Sequence, residues 1–148
     1  MSDLVVALAD RVLQKAQAAG VTRTVGRLAT LLADAPGGGE QFHGGFVTYT
    51  KENKIATLGV PRELIAAHTA VSRPVAEAMA AGALERCPAD LVIAITGVAG
   101  PKPDEDGNPV GLMHIAAAVR DEGMLHRSLA VTMLDEIGAS RAGKGKRT

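Results

Sequence analysis

The sequence predicts an α/β fold, a three-layer α/β/α sandwich built around a mixed sheet. Apolar residues recur at helical spacing through most of the first half of the chain. In the second half, strand-like apolar runs follow a helix pattern, and the turn RDEG joins the last two runs as a hairpin. Helices on both faces of a sheet accommodate these patterns in one core.

The first helix is predicted from Leu4 to Ala16, with Ser2 as a cap and Gly20 after its end. A second helical pattern covers residues 25–35, and PGGGE after it is predicted to be a mobile loop. That loop lacks the Gly-Lys-Ser/Thr ending of a phosphate-binding Walker loop. The next segment, GFVTYT, is rich in β-favouring residues and is predicted to be a buried strand.

Cap signals place three more helices. Thr50 is predicted to cap KENKIATL, which ends at Gly59, and Pro61 opens a short helix that reaches about Ala67. Ser72 is a candidate cap for the helix that Cys87 and Pro88 close. The strands LVIAIT, VGLMHIAAAV and LHRSLAVTML follow. Residues 1–132 are predicted to form one domain, and residues 133–148 an irregular basic tail.

Composition excludes several classes of protein. The 148 residues carry no net charge, so nothing indicates a nucleic-acid partner or an anionic membrane surface. No apolar run approaches a membrane span, and the first 20 residues lack the pattern of a secretory signal. Cys87 is the single cysteine, which fits a reducing compartment, and we expect a cytoplasmic protein.

No metal site is expected. The run DEDGN resembles the start of a calcium loop, but its twelfth position is Ile115, where a carboxylate is required. The four histidines form no i,i+4 pair that would indicate zinc.

Two turns that follow predicted strands carry the candidate chemistry, since open α/β sheets bind ligands at such ends. In TYTKENK, Tyr49 ends a strand and Lys54 lies near the start of a helix, where the helix dipole and burial would lower its pKa. A neutral lysine can act as a general base. In the second turn, Gly97, Val98 and Gly100 could present backbone N–H groups to an oxyanion or a phosphate. A purely structural strand-turn-helix junction is the alternative.

Five segments resemble the CinA carboxyl-terminal domain family. They are GFVTYTKENK, LGVP, AVSRPVAEAMAAGAL, ADLVIAITGVAGP and PVGLMHIAAA. The resemblance implies hydrolysis of nicotinamide mononucleotide to the nicotinate nucleotide and ammonia, by a serine nucleophile with a lysine base and without metal or other cofactor. It also implies that Lys54 is the base, that Tyr49 shapes the pocket, and that the turn containing Thr96, Gly97, Val98 and Gly100 contacts the nucleotide.

The sequence departs from the family pattern where the nucleophile should be. Family members carry a strand and then ESCTGG after the first helix, whereas here Gly20 is followed directly by VTRTVGRLAT. Alignment from the next helix places Thr22 on the serine, and roughly six residues of the preceding strand are absent, which would leave ladder groups unpaired. Threonine can act as a nucleophile, although its methyl group crowds the attack.

These observations predict a nicotinamide-nucleotide amidohydrolase family member with impaired or lost catalysis. The alternative is a non-catalytic protein that binds pyridine nucleotides or serves in assembly, and a third possibility is an altered version of an active enzyme. If the strand is lost, another segment must cover the sheet, and a neighbouring subunit can supply that segment. We therefore expect a homo-oligomer.

Overall fold

A computed structural model describes residues 24–130 of the chain. Within that range five helices precede three strands. In chain order they are α1 (Thr24–Ala33), α2 (Gly38–Gln41), α3 (Lys51–Leu58), α4 (Arg62–His68), α5 (Arg73–Glu85), β1 (Leu91–Gly97), β2 (Leu112–Val119) and β3 (Gly123–Ala130). The predicted first helix and the predicted tail, residues 133–148, lie outside the described residues, and so does Thr22.

The three strands form one antiparallel sheet in the order β1-β2-β3. In β1 and β2, Ala94 lies opposite Ala116 and Thr96 lies opposite His114. The predicted hairpin of the last two strands is confirmed, because β2 and β3 pair across the turn at residues 120–122. The α/β class is confirmed as well. The described strands pair only in antiparallel fashion, so the parallel pairing of a mixed sheet is not among them.

Helix α5 covers one face of this sheet with small side chains. Ala94 and Ala116, which face each other across β1 and β2, are almost fully buried and pack into the same core as Val75, Ala76 and Ala80 of the helix. Alanine on both surfaces lets the helix backbone approach the sheet closely, which compensates for the lack of aromatic residues in this core.

The opposite face of the sheet is also apolar. Ile93 and Ile95 of β1 alternate with the residues that face α5, and their partners Ala117 and Ile115 in β2 are buried. A sheet whose two faces are both apolar and shielded has the pattern of the middle layer in a three-layer sandwich.

Local signals define helix α3. The Thr50 hydroxyl accepts a hydrogen bond from the Asn53 N–H at 3.1 Å, as a cap should. Gly59 ends the helix in the left-handed conformation, with φ of 70°. The end of α3 rests directly on α5, since a Cβ atom on Gly82 would lie only 1.8 Å from the carbonyl oxygen of Leu58.

The end of α5 is held by one arginine from the turn after β2. Nη2 of Arg120 lies 2.9–3.1 Å from the carbonyl oxygens of Leu84, Cys87 and Ala89. These carbonyls have no partner in a continuing helix, and the guanidinium satisfies them while it fixes the β2-β3 turn against α5.

Two local predictions are wrong. PGGGE contains the helical turn α2 rather than a simple loop. The predicted strand GFVTYT belongs to no helix and to no ladder of the described sheet. A strand needs a neighbour that supplies N–H and C=O groups, and here side chains of α3 bind the carbonyls of Val47 and Thr48 instead.

Within residues 24–130, no helix combines the length and the apolar content that are needed to cross a bilayer.

Candidate functional site

Lys54 is the one buried cation of the described core. Its side chain is on the first turn and a half of α3, only 6% of the residue is exposed, and Nζ donates to the carbonyl oxygen of Thr48 at 2.7 Å. Burial lowers the pKa of the Lys54 amine, because removal from water penalises the charged form. A fixed amine that loses its proton more easily than an exposed lysine has the properties of a general base.

Tyr49 lies in the irregular segment before α3, and its ring is in solvent. The residue is 94% exposed and Val47 is 77% exposed. The segment itself is anchored, because Asn53 Nδ2 donates to the Val47 carbonyl at 3.2 Å and Lys54 binds the next carbonyl. Within one chain, Tyr49 therefore lies at the rim of the site and does not line an enclosed pocket.

The predicted glycine turn continues the pairing of β1 and β2 beyond Gly97. The Val98 N–H donates to the Leu112 carbonyl at 2.9 Å, and the Val98 carbonyl accepts from the Gly111 N–H at 2.9 Å. Both backbone groups of Val98 are thus used inside the protein, so its N–H is not available to an oxyanion. Gly100 has φ of 87°, and a Cβ atom there would lie 2.8 Å from Cγ1 of Val110.

Thr96, at the end of β1, is 4% exposed, and its hydroxyl donates to the Ala70 carbonyl at 2.8 Å. This bond ties the carboxyl end of β1 to the segment between α4 and α5. Among the described residues, no hydrogen bond joins Lys54 to the turn at residues 96–100.

One ion-pair cluster that the sequence did not predict brings the two turns together. Nζ of Lys51, the first residue of α3, lies 2.8 Å from Glu105 and 2.9 Å from Asp106. Hydrogen bonds to Glu105, and then to Asp106, raise the pKa of Lys51. The loop that follows the glycine turn is therefore attached to the start of the helix that carries Lys54. The acidic run DEDGN was the only sequence signal for this contact.

The same loop is ordered by its own side chains. Asp104 accepts the backbone N–H groups of Asp106 and Asn108 at 3.1 Å and 2.7 Å. Asn108 Nδ2 then donates to the Thr69 hydroxyl at 3.0 Å, and Thr69 has φ of 68°, an unusual value for a β-branched residue. A groove of about 260 Å³ lies between this loop and helices α3 and α4. Its lining includes Lys51, Ile55, Arg62, Ile65, Thr69 and Asp106.

Comparison with known proteins gives the family. The sequence-family model of the CinA C-terminal domain matches residues 2–136 of this chain. The chain belongs to the CinA C-terminal domain family. A CinA-like protein of Mycolicibacterium gilvum is 50% identical over 105 residues, which are 71% of this chain and 25% of that protein. A CinA-like protein of Mycobacterium marinum is 45% identical over 122 residues, 82% of this chain and 28% of that protein.

The fold agrees with solved structures of CinA proteins. A competence-damaged protein (CinA) superfamily member from Escherichia coli superposes with a TM-score of 0.66 at 38% identity, over 72% of this chain and 62% of that chain. This CinA domain spans about a quarter of the length of the curated relatives that it matches. The confirmed resemblance covers the segment around Lys54 and the glycine turn, whereas the distance from Thr22 to Lys54 lies outside the described residues.

Metal ligands are not grouped in this part of the CinA domain. Across residues 24–130, no three histidine, cysteine or acidic side chains are placed to hold one ion together. Asp104, Glu105 and Asp106 are instead engaged by backbone N–H groups and by Lys51.

Proposed function

We propose that this CinA domain retains a site for nicotinamide mononucleotide and has impaired or lost amidohydrolase activity. The carrying observation is Lys54, a buried amine of lowered pKa that is held at 2.7 Å by the Thr48 carbonyl within the family segment GFVTYTKENK. An exposed lysine at this position would be protonated at neutral pH and would be a poor base.

The proposed reaction needs an oxygen nucleophile and a base. A hydroxyl oxygen attacks the amide carbon while Lys54 takes the hydroxyl proton, and that proton then passes to the leaving nitrogen, which departs as ammonia. Water cleaves the resulting ester and gives the nicotinate nucleotide. Lys54 can fill the base role, but ESCTGG, which supplies the serine in the family, is absent, and Thr22 takes its place in the alignment. This gap is the reason for proposing impaired catalysis.

Ammonia release from nicotinamide mononucleotide tests the proposal. We expect the purified full chain to release ammonia no faster than the Lys54→Met variant, which keeps the volume of the side chain and removes the amine. Lys102→Met is the matched control, because Lys102 is exposed and its side chain takes no part in the hydrogen bonds and ion pairs described for the site. Robust turnover that Lys54→Met abolishes and Lys102→Met preserves would contradict impaired or lost catalysis and would make Thr22 the candidate nucleophile.

A graft tests the cause of the loss. Replacement of residues 21–26 by a six-residue strand followed by ESCTGG is expected to restore ammonia release, provided that Lys54 is competent. The same graft with Lys54→Met should remain inactive. A folded graft without activity would show that the defect is not confined to the nucleophile segment.

A second candidate function is nucleotide binding without chemistry. It is favoured by Val98, whose N–H is committed to the Leu112 carbonyl and cannot stabilise an oxyanion. Calorimetric titration with nicotinamide and nicotinate mononucleotides, combined with the ammonia assay, tests both candidates. Binding with slow, Lys54-dependent turnover supports the first function, binding without turnover supports the second, and the absence of binding contradicts both.

A further inference from the structure

Two histidines of the sheet meet across β2 and β3. His126 lies opposite Ala116, and His114 lies opposite Ser128. The histidines are therefore diagonal neighbours on one face of this antiparallel pair of strands, close enough for their rings to touch. Nδ1 of His114 is 3.3 Å from Nε2 of His126, and the two ring planes are inclined by 25°. The residues are 12 positions apart, so the i,i+4 spacing that indicates a zinc site in a helix does not reveal this pair.

The separation of the two facing nitrogens fits a shared metal ion. A hydrogen bond from an N–H donor usually measures about 2.7–3.2 Å, so the observed 3.3 Å lies beyond the long end of that range. Zinc holds imidazole nitrogens at about 2.0–2.1 Å in tetrahedral geometry, which places two such nitrogens roughly 3.3 Å apart. The backbone of β2 and β3 therefore already sets the spacing that two ligands of one ion require.

Small movements of the rings complete the fit. An ion at about 2.05 Å from both nitrogens lies roughly 1.2 Å to the side of the line that joins them. Rotation about χ2 can turn each lone pair towards the ion, because this torsion is broad in histidine. The facing nitrogens must both lack a proton, and each neutral ring then carries its proton on the other nitrogen. Ligating histidines commonly donate that proton to a second partner, so further contacts of these rings are compatible with coordination.

The chemistry of the pair selects the class of ion. Imidazole nitrogen is a good ligand for zinc, copper and nickel, whereas calcium and magnesium take oxygen ligands. Both histidines are partly exposed, so an ion can reach them from solution.

We propose that His114 and His126 bind one divalent transition-metal ion, such as zinc or copper, with water completing its coordination shell. Two protein ligands agree with the finding that residues 24–130 hold no group of three ligands. They do not close the shell as in a structural zinc site, so the bound ion exchanges with solution. Because the ion joins adjacent strands of the folded chain, its binding stabilises the β2-β3 pairing. This site does not depend on the proposed function.

Zinc(II) and copper(II) are the two probes, added separately to the untagged full chain at about pH 7.5, where an ordinary histidine is mostly neutral. Calorimetry measures the affinity and stoichiometry of zinc, and pulsed electron paramagnetic resonance counts the imidazoles on copper added below one equivalent. We expect one zinc site per chain and two imidazoles on copper. His114→Gln and His126→Gln should each weaken zinc binding at least roughly tenfold and leave one imidazole on copper. His68→Gln, at the exposed end of α4, is the matched control and should change neither result.

Three results would overturn the proposal. One is the absence of saturable zinc binding up to about 1 mM. Another is zinc binding that neither His114→Gln nor His126→Gln weakens, which would place the ion elsewhere. The third is a single imidazole on copper in the unaltered chain, which would mean that the two histidines form a hydrogen-bonded pair only. This last measurement needs no variant, and circular dichroism of the three variants checks that each one folds.

Discussion

Gly82 is the position where one added methyl group should do most damage. It lies inside α5, where alanine would ordinarily be favoured over glycine by about 0.5–1 kcal/mol. A Cβ atom there would lie 1.8 Å from the Leu58 carbonyl oxygen and 2.9 Å from its carbon. The first distance is roughly 1.5 Å inside ordinary van der Waals contact, and the obstacle is backbone, which cannot rotate away.

The Gly82→Ala change must therefore push the end of α3 away from α5. Overpacking costs about 1–3 kcal/mol, and a backbone obstacle places this case at the upper end. When the gain in helix propensity is subtracted from this cost, the expected loss in the free energy of unfolding is about 2 kcal/mol. For a chain of this size that loss corresponds to a fall of roughly 4–8 °C in Tm.

Urea denaturation followed by circular dichroism measures this change, and Gly26→Ala is the matched control. Gly26 lies in α1, and among the described residues no heavy atom outside its own helix turn lies within 4 Å of the position that its Cβ would take, so alanine there should be neutral or stabilising by up to about 1 kcal/mol. If Gly82→Ala proved as stable as Gly26→Ala, the close approach of α3 to α5 would be refuted. The support that positions Lys54 would then need another explanation.

Three further predictions concern stability and its dependence on pH. Arg120→Ala should lower the free energy of unfolding by about 1–3 kcal/mol because three carbonyl oxygens lose their donor. Its control is Arg73→Ala, which removes an exposed i,i+4 ion pair and should cost about 0.5 kcal/mol or less. Thr96→Val should cost about 1–2 kcal/mol, since the Ala70 carbonyl loses its donor. Burial lowers the pKa of Lys54 in the folded chain, so the unfolded chain binds more protons and wild-type stability should rise with pH between the lowered value and 10.5. Lys54→Met should remove that rise. Denaturant titrations at several pH values check all three, and a pH slope that survives in Lys54→Met would contradict the last.

The parts of this fold that were predictable are those with local causes. Thr50 and Gly59 delimit α3 because a hydroxyl cap and a left-handed glycine act within a few residues of chain. The β2-β3 hairpin was predictable for the same reason, since a short polar turn joins two apolar runs. For Lys54, burial was one of the two causes expected to lower its pKa, and the structure shows that the side chain is buried.

The parts that were missed depend on contacts between distant residues. GFVTYT has the composition of a strand, but a strand exists only when a neighbour pairs with it, and side chains of α3 bind its carbonyls here. The Lys51–Asp106 bridge joins residues 55 positions apart. Likewise, the sequence of a glycine-rich turn does not determine whether the Val98 N–H points to a ligand. In the structure it donates to the Leu112 carbonyl oxygen.

We propose one common explanation for the departure from the family pattern and the exposure of Val47 and Tyr49. If a strand is missing before VTRTVGRLAT, the nucleophile segment loses its support, and GFVTYT would lose a ladder partner if that strand paired with it. The amine of Lys54 is unaffected, because its burial and its bond to the Thr48 carbonyl arise within residues 48–54 and from the packing of α3. Under the proposed function, the amine that would act as the base is therefore retained even though the serine motif is absent. On this reasoning the graft that restores ammonia release should also shield Tyr49 in the monomer, since one strand supplies both.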